Sequence, residues 1–397
     1  MQNDPVVIVS AARTPMGTFQ GGLSSLTAPT LGSIAIQAVV DRAGIPAERI
    51  EEVLMGCVLP AGLGQAPTRQ AALLAHLPTS TACTTVSKVC GSGMKAIMIA
   101  HDGIHADSFE IIIAGGMESM TNAPYLLPKA RGGARLGHSQ MIDHMFLDGL
   151  EDAYSKEGRG RLMGTFAEEC AEQYHFSRQA QDEYAILSTK RAQESSQNGS
   201  FDWEIVPVTI SGKKGEMVLS QDEGPFAVNL AKIPELKPAF KKDGTVTAAN
   251  SSSISDGAAA LLMMRESVAK KLGLQPLAKI VGHVNHASTP ALFPTAPIGA
   301  IQKLLNKVDW VKESVDLFEI NEAFAVVPMA AMHDLHIPIE KVNIHGGACA
   351  LGHPIGASGA RIVVTLLGAL KKYRLKRGVA SLCIGGGEAT ALALEMY

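Results

Sequence analysis

Two widely separated stretches of this chain repeat one order of features, and that repetition limits the fold more than any single motif. Cys90-Gly-Ser-Gly leads into an apolar helical run through Met94, Ala96, Ile97, Ile99 and Ala100, and the apolar run at 111–114 then ends in Gly115-Gly116-Met-Glu-Ser. Gly346-Gly347, Gly352-His353-Pro354 and Gly359 likewise lead into a helix, and Ser381-Leu-Cys-Ile ends in Gly385-Gly386-Gly387-Glu-Ala. Element order and glycine placement recur together, which marks an internal duplication. Two such halves facing each other bring both glycine-rich turns to one shared cleft.

Within the halves, short continuous apolar runs alternate with helical patterns. Residues 6–9, 53–59 and 111–116 read as strands buried on both faces, and 31–40 as an apolar-striped helix stopped near Gly44. This predicts a parallel or mixed sheet covered by helices on both sides. At 397 residues the chain is long enough for two or three packed units. They are an N-terminal half over 1–121 and 250–270, an inserted loop domain over 122–249, and a C-terminal half over 271–397. The insertion starts with a basic loop, Lys129, Arg131 and Arg135 among Gly132, Gly133 and Gly137. A helical stretch follows at 164–198, then a polar, turn-rich segment at 201–245, and 248–264 returns to the core pattern.

Composition excludes several functional classes. With 46% hydrophobic residues and 39 glycines the chain is an α/β enzyme type rather than a disordered one. A net charge of −3 gives no reason to expect nucleic acid or an anionic membrane as partner. No uncharged apolar run reaches the roughly 18–20 residues that span a bilayer. Neither a signal peptide, an Arg-rich transit segment nor a C-terminal address is visible, so a soluble cytoplasmic protein is expected. The six cysteines lack framework spacing, which favours reduced thiols, and no His/Cys cluster along the chain suggests a metal.

Four residues carry chemical interest. Cys90 stands at a predicted helix N-terminus, where the positive dipole end favours thiolate, although a lone cysteine is also a common small core residue. His353, on a glycine-framed turn before a helix, is placed to reach a cleft and suits proton transfer near neutral pH. Cys383 at the end of an apolar run reads as core by itself, but the three glycines beside it offer backbone N–H groups to an oxyanion. Asn321-Glu322 could hold a water or orient a histidine, and read alone is better explained as a helix cap.

Taken together, the chain resembles the thiolase family along essentially its whole length. The matching stretches include Ser10-Ala-Ala-Arg-Thr-Pro, Cys90-Gly-Ser-Gly-Met-Lys-Ala, Ala114-Gly-Gly-Met-Glu-Ser-Met and Asp256-Gly-Ala-Ala-Ala. They continue through Asn321-Glu-Ala-Phe-Ala, Gly352-His-Pro-Ile-Gly-Ala-Ser-Gly and Cys383-Ile-Gly-Gly-Gly. The resemblance implies a duplicated α/β fold, two βαβαβαββ halves in five α-β-α-β-α layers with an inserted loop domain.

It also implies an acyltransferase that reversibly condenses two acetyl-CoA to acetoacetyl-CoA plus CoA through acetyl-Cys90. The alternative is a degradative 3-ketoacyl-CoA thiolase of fatty-acid oxidation. A β-ketoacyl synthase is disfavoured by Cys383, and a catalytically silent CoA or lipid carrier by the intact set. By the same resemblance His353 takes the Cys90 proton, Cys383 is the base for the second acyl-CoA, and Asn321 holds a water. The N–H groups of Cys90 and Gly385 hold an oxyanion. Leu150, Met163, Ala248, Ser252, Ala323 and Phe324 fall along the pantetheine channel. Lys129, Arg131 and Arg135 match a loop that approaches CoA phosphates from a neighbouring subunit of a homotetramer, a dimer of dimers. No metal or redox cofactor is implied; the partners are the CoA thioesters and CoA.

The chain departs from the family pattern in places. Leu162 replaces a frequent histidine, and Phe226 ends a segment that lacks an arginine common after its acidic pair. His345 replaces an asparagine before Gly346-Gly347, and Phe293-Pro294 resembles branched-substrate-tolerant relatives.

Overall fold

The computed structural model describes residues 4–154, 160–212 and 215–397, so the parts of the expected insertion at 155–159 and 213–214 lie outside it. The first half runs β1 (Val6–Arg13), α1 (Ala28–Ala43), β2 (Glu52–Gly56), α2 (Pro67–Leu74), β3 (Ala82–Val86), α3 (Ser92–His105) and β4 (Ile111–Ser119). The inserted segment carries α4 (Met163–Gln173) and α5 (Arg178–Gln197), after which β5 (Ser255–Arg265) closes the half. The second half comprises β6 (Ala278–Ala287), α6 (Ala296–Val308), β7 (Leu317–Ile320), α7 (Val326–Leu335), α8 (Ile355–Tyr373), β8 (Arg377–Ile384) and β9 (Glu388–Met396).

Strand pairing shows the duplication directly. In the first half the order is β2-β4-β5-β1, with β2 and β4 parallel and the other neighbours antiparallel. The second half repeats it as β7-β8-β9-β6, with β7 and β8 parallel and the rest antiparallel. The strand β3 beside β2 is matched in the second half by a single parallel bridge, Phe318 to Val342. The halves join where β1 meets β6, through Val7–Lys279 and Ile8–Ala278.

Five layers result. Helices α1 and α2 cover one outer face, α6 and α7 the other, and α3 and α8 lie between the strands of the two halves. Along β4, Ile112 and Ala114 face the central helices while Ile111 and Ile113 join the outer core. Both faces of the strand are therefore apolar, which is why it reads as an unbroken run. Helix α1 starts where the Thr27 hydroxyl accepts from Thr30 N and stops at Gly44, whose φ of +66° only glycine adopts freely.

The central helices cross almost backbone to backbone. A Cβ on Gly93 would stand 2.8 Å from Ala360 N, and one on Gly359 would overlap Met94 N. The glycines after Cys90 and His353 thus admit a close crossing between the helices those residues introduce.

Three expectations need correction. The helical stretch at 164–198 is two helices, because His175 adopts φ +55° and Ser177 caps a new start by accepting from Ala180 N. The irregular 201–245 segment contains a hairpin, Val208–Gly212 with Gly215–Leu219. The strand expected over 53–59 ends at Gly56, since Val58 N and Leu59 N turn away to the Glu118 carboxylate. The insertion is fastened by buried Arg13, which donates to Glu204 at 2.6 Å and to both oxygens of Asp222 at 2.6 and 2.9 Å. Among the described residues no helix is long and apolar enough to cross a membrane.

Replacing Gly359 by alanine forces α3 and α8 apart. We expect a loss of roughly 1–3 kcal/mol, the usual cost of overpacking, read as a lower urea midpoint with an unchanged slope. An unchanged midpoint would show that the crossing has slack.

Candidate active site

The site grows from the starts of the two central helices. Before α3 the chain makes a tight turn in which Gly91 N donates to Lys88 O and Ser92 N to Val89 O, at 3.0 and 3.1 Å. Ser92 locks it, accepting from Lys88 N and donating to Val89 O, both at 2.7 Å. Val89 sits at φ +45°, a conformation a β-branched residue strongly resists. Such strain, of order 1–3 kcal/mol, is characteristic of functional turns. Here it sets Cys90 in the wall of a cavity of about 390 Å³.

The Cys90 sulfur meets the backbone N–H groups of Gly385 and of Cys90 itself. Burial nevertheless pushes its thiol up to about 11, against the pull of those two donors. The expectation of a resting thiolate is corrected accordingly: desolvation outweighs the two N–H donors.

His353 stands opposite in the fold, before α8, and lines the same cavity. Its backbone N–H donates to Ser253 O at 3.0 Å. The Ser358 hydroxyl donates to Pro354 O at 2.9 Å and lies 2.5 Å from His353 Nδ1. Since that hydroxyl proton is committed, Nδ1 carries the imidazole proton and donates it, and Nε2 is left as an acceptor. Nε2 is buried and has no partner among the described residues. Burial, reinforced by Arg361, lowers the imidazole to about 3, so it is neutral at physiological pH.

Cys383, at the end of β8, is fully buried. Burial and the nearby Cys90 hold its thiol well above the usual range. Asn321 follows β7 and donates its backbone N–H to Ser381 O at 3.0 Å. Its Oδ1 receives Arg361 Nη2 at 3.5 Å, and its Nδ2 is buried with no partner among the described residues. Asn321 is therefore not a helix cap but an amide with spare N–H groups. Neither it nor Cys383 forms the cavity wall.

All six residues expected along the pantetheine channel, Leu150, Met163, Ala248, Ser252, Ala323 and Phe324, line the cavity, as does Gly385. Leu162 and Phe293 add apolar wall. The structure does not bring Lys129, Arg131 and Arg135 to it; they lie exposed on the loop around 130–132. Phe226 is half-exposed, while the acidic pair before it is spent internally: Asp222 pairs Arg13, and Glu223 accepts from Thr18 N at 2.9 Å. His345 is buried with both ring nitrogens unpartnered among the described residues, lowered to about 4 by burial and then by Lys372 and Arg13.

Sequence reasoning missed two supports. Ser358, which sets the His353 tautomer, was quoted only as part of a motif; its place five residues on, one turn into α8, was the available signal. Glu118 accepts from Val58 N and Gly356 N at 2.9 Å each, tying β4 to the first turn of α8. Burial raises it to about 7 against those hydrogen bonds. Its signal was the repeat itself, since Glu388 follows the matching glycines and pairs with Lys88.

A neutral Cys90 predicts that iodoacetamide alkylates it about tenfold faster per pH unit between roughly pH 7 and 9, with Cys90→Ser as the blank. A plateau from pH 7 would reveal a thiolate at rest. Ser358→Ala releases the ring of His353 and should lower kcat about tenfold, one hydrogen bond's worth, while the fold's melting temperature moves little; undiminished kcat would deny Ser358 its role.

Comparison with known proteins agrees with this geometry. The models of the thiolase N-terminal and C-terminal domains match residues 6–267 and 274–396. Acetyl-CoA acetyltransferase 2 of Arabidopsis thaliana is 51% identical, covering 98% of this chain and 97% of its own. Acetyl-CoA acetyltransferase of Cupriavidus necator is 47% identical over 98% of this chain and 99% of its own. Among solved structures, the Bacillus anthracis acetyl-CoA acetyltransferase superposes with a TM-score of 0.96 at 42% identity, covering 99% of each chain. Acat5 thiolase of Ascaris suum in complex with coenzyme A gives 0.92 at 41% identity, covering 99% of this chain and 100% of its own. With both domain models matched across nearly its whole length, this chain belongs to the thiolase family.

Proposed function

We propose that this protein is an acetyl-CoA C-acetyltransferase that joins two acetyl-CoA into acetoacetyl-CoA and CoA, and runs in reverse as a thiolase. The observation that carries this reading is the free Nε2 of His353 on the same cavity as Cys90 and Gly385, with a second thiol, Cys383, electrostatically coupled to the first.

His353 Nε2 takes the proton as Cys90 attacks the thioester carbonyl of acetyl-CoA. Burial disfavours a free thiolate–imidazolium pair, so transfer accompanies formation of the carbon–sulfur bond. The tetrahedral oxygen is received by the N–H groups of Cys90 and Gly385, each worth roughly 3–4 kcal/mol in comparable sites. CoA then departs and takes the Cys383 proton, which leaves Cys383 as thiolate. That thiolate removes the α-proton of the second acetyl-CoA. The enolate oxygen is held by protonated His353 and by a water on Asn321 Nδ2. The carbanion attacks acetyl-Cys90, and Cys90 leaves with the proton stored on His353. The Cys90 proton returns by way of His353, the Cys383 proton leaves on CoA and is replaced by the α-proton of the second acetyl-CoA, and no redox cofactor enters the balance.

Coenzyme A enters past Leu150, Met163, Ala248, Ser252, Ala323 and Phe324, and the CoA complex of the Ascaris relative supports that ligand. Lys129, Arg131 and Arg135, remote from their own cavity, serve the CoA phosphates of a neighbouring subunit in a cytoplasmic homotetramer. The Arabidopsis and Cupriavidus relatives are acetyl-CoA acetyltransferases, which weighs against the degradative alternative.

Thiolysis of acetoacetyl-CoA should greatly exceed that of a longer 3-ketoacyl-CoA, and should fall by at least about a thousandfold in Cys90→Ser and Cys383→Ala. Preference for the long chain would move the protein to the degradative branch. Retained activity in Cys383→Ala would overturn the division of labour between the cysteines.

A further inference from the structure

At the other end of the nucleophile's helix lies a cluster that the acyl-transfer reading leaves unused. His101 and Asp102, near the C-terminal end of α3, meet His283 from β6. His283 Nε2 lies 3.1 Å from His101 Nδ1 and 3.0 Å from Asp102 Oδ1, and the last two atoms are 3.4 Å apart. Both imidazoles are buried, whereas the Asp102 side chain is 63% exposed.

Three donor atoms at these spacings form a nearly equilateral triangle. Tetrahedral bonds of about 2.0–2.1 Å set ligand atoms roughly 3.3 Å apart, so the triangle fits one face of such a coordination shell. A hydrogen-bonded trio explains the arrangement less fully: whichever ring nitrogen carries the shared proton, the other ring nitrogen and Asp102 Oδ1 face each other as acceptors with no proton between them. The geometry points to a binding site for one divalent first-row transition ion, held by His101 Nδ1, His283 Nε2 and Asp102, with an open position towards solvent. Two imidazoles and a carboxylate suit zinc and its neighbours in the series rather than magnesium or calcium.

Lys95 and Lys307 face His283 and oppose added positive charge, while Asp102 offsets them. The cluster joins the two halves of the duplication, and an occupying ion would staple the far end of α3 to β6. His101 lies nine residues along α3 from Ser92, about 14 Å at 1.5 Å per residue, which keeps this site distinct from the cavity at Cys90. A reading along the chain finds no metal motif because His283 is remote in sequence from the other two.

Cobalt(II) titration tests the site, since its visible bands report geometry and its thiolate charge-transfer band would reveal capture by Cys90 or Cys383 instead. We expect wild type to take up a single Co²⁺ per chain with bands of a low-coordinate nitrogen and oxygen site and no thiolate band. Asp102→Asn, exposed and nearly isosteric, should weaken binding at least about tenfold without touching the fold. His101→Ala and His283→Ala should do the same, whereas His105→Ala, a neighbouring histidine outside the triangle, should bind as wild type does. No uptake by wild type, uptake through thiolate, or unchanged binding in Asp102→Asn and His283→Ala would each overturn the proposal.

Discussion

The backbone-close crossing of α3 and α8 is the constraint on which the rest of this molecule depends. Both helices begin at the cavity, one behind Cys90 and the other behind His353, and each sits between the strands of the two halves. Gly93 and Gly359 leave no side chain at the crossing, so any widening there moves Cys90 and the His353 imidazole apart together. The central core of Met94, Ile97, Ile362, Val363 and Leu366 packs around that crossing from both halves. Stability and site geometry therefore rest on the same contact.

Around this axis, buried polar groups divide into two kinds. Glu322 accepts from Tyr184, Ser188, Asn343 and Cys349 N, clamping the insertion to the second half. Glu168 does the same for Thr245 N and Val246 N, and Glu118 for the start of α8. These carboxylates are saturated, as burial requires. His353 Nε2 and Asn321 Nδ2 are not, and leaving a buried polar atom unpaired costs about 1–3 kcal/mol. Other buried atoms, among them Glu204 Oε2, Asp256 Oδ2 and both ring nitrogens of His345, also lack a partner among the described residues, so what singles out His353 Nε2 is its place on the cavity shared with Cys90.

Burial also explains why the cysteines need a mechanism rather than a resting charge. The N–H groups of Cys90 and Gly385 meet the Cys90 sulfur, but an apolar cavity makes a lasting thiolate costly. The same cavity strengthens hydrogen bonds to an oxyanion that forms only during reaction. One environment therefore keeps the thiols neutral at rest and favours the charge-separated steps of acyl transfer.

The duplication, the strand and helix types of each half and the glycines at both helix starts were legible in the residues, because periodicity and backbone sterics are local properties. Cys90 and His353 were legible for the same reason: each sits on a glycine-rich turn whose pattern survives in isolation. The break at His175, the role of Ser358, and the difference between Asn321 as free amide and Glu322 as clamp were not. Each depends on which atoms from distant segments arrive within hydrogen-bonding distance. The state of Cys90 shows this most clearly. Its residue type and helix position argued for thiolate, and only the packed cavity, by removing water, decided for the thiol. The approach of His283 to His101 and Asp102 was likewise decided by the pairing of β6 with its neighbours. Chain order determines the elements and where glycine admits close approach; tertiary packing sets dielectric and distance, and these govern charge.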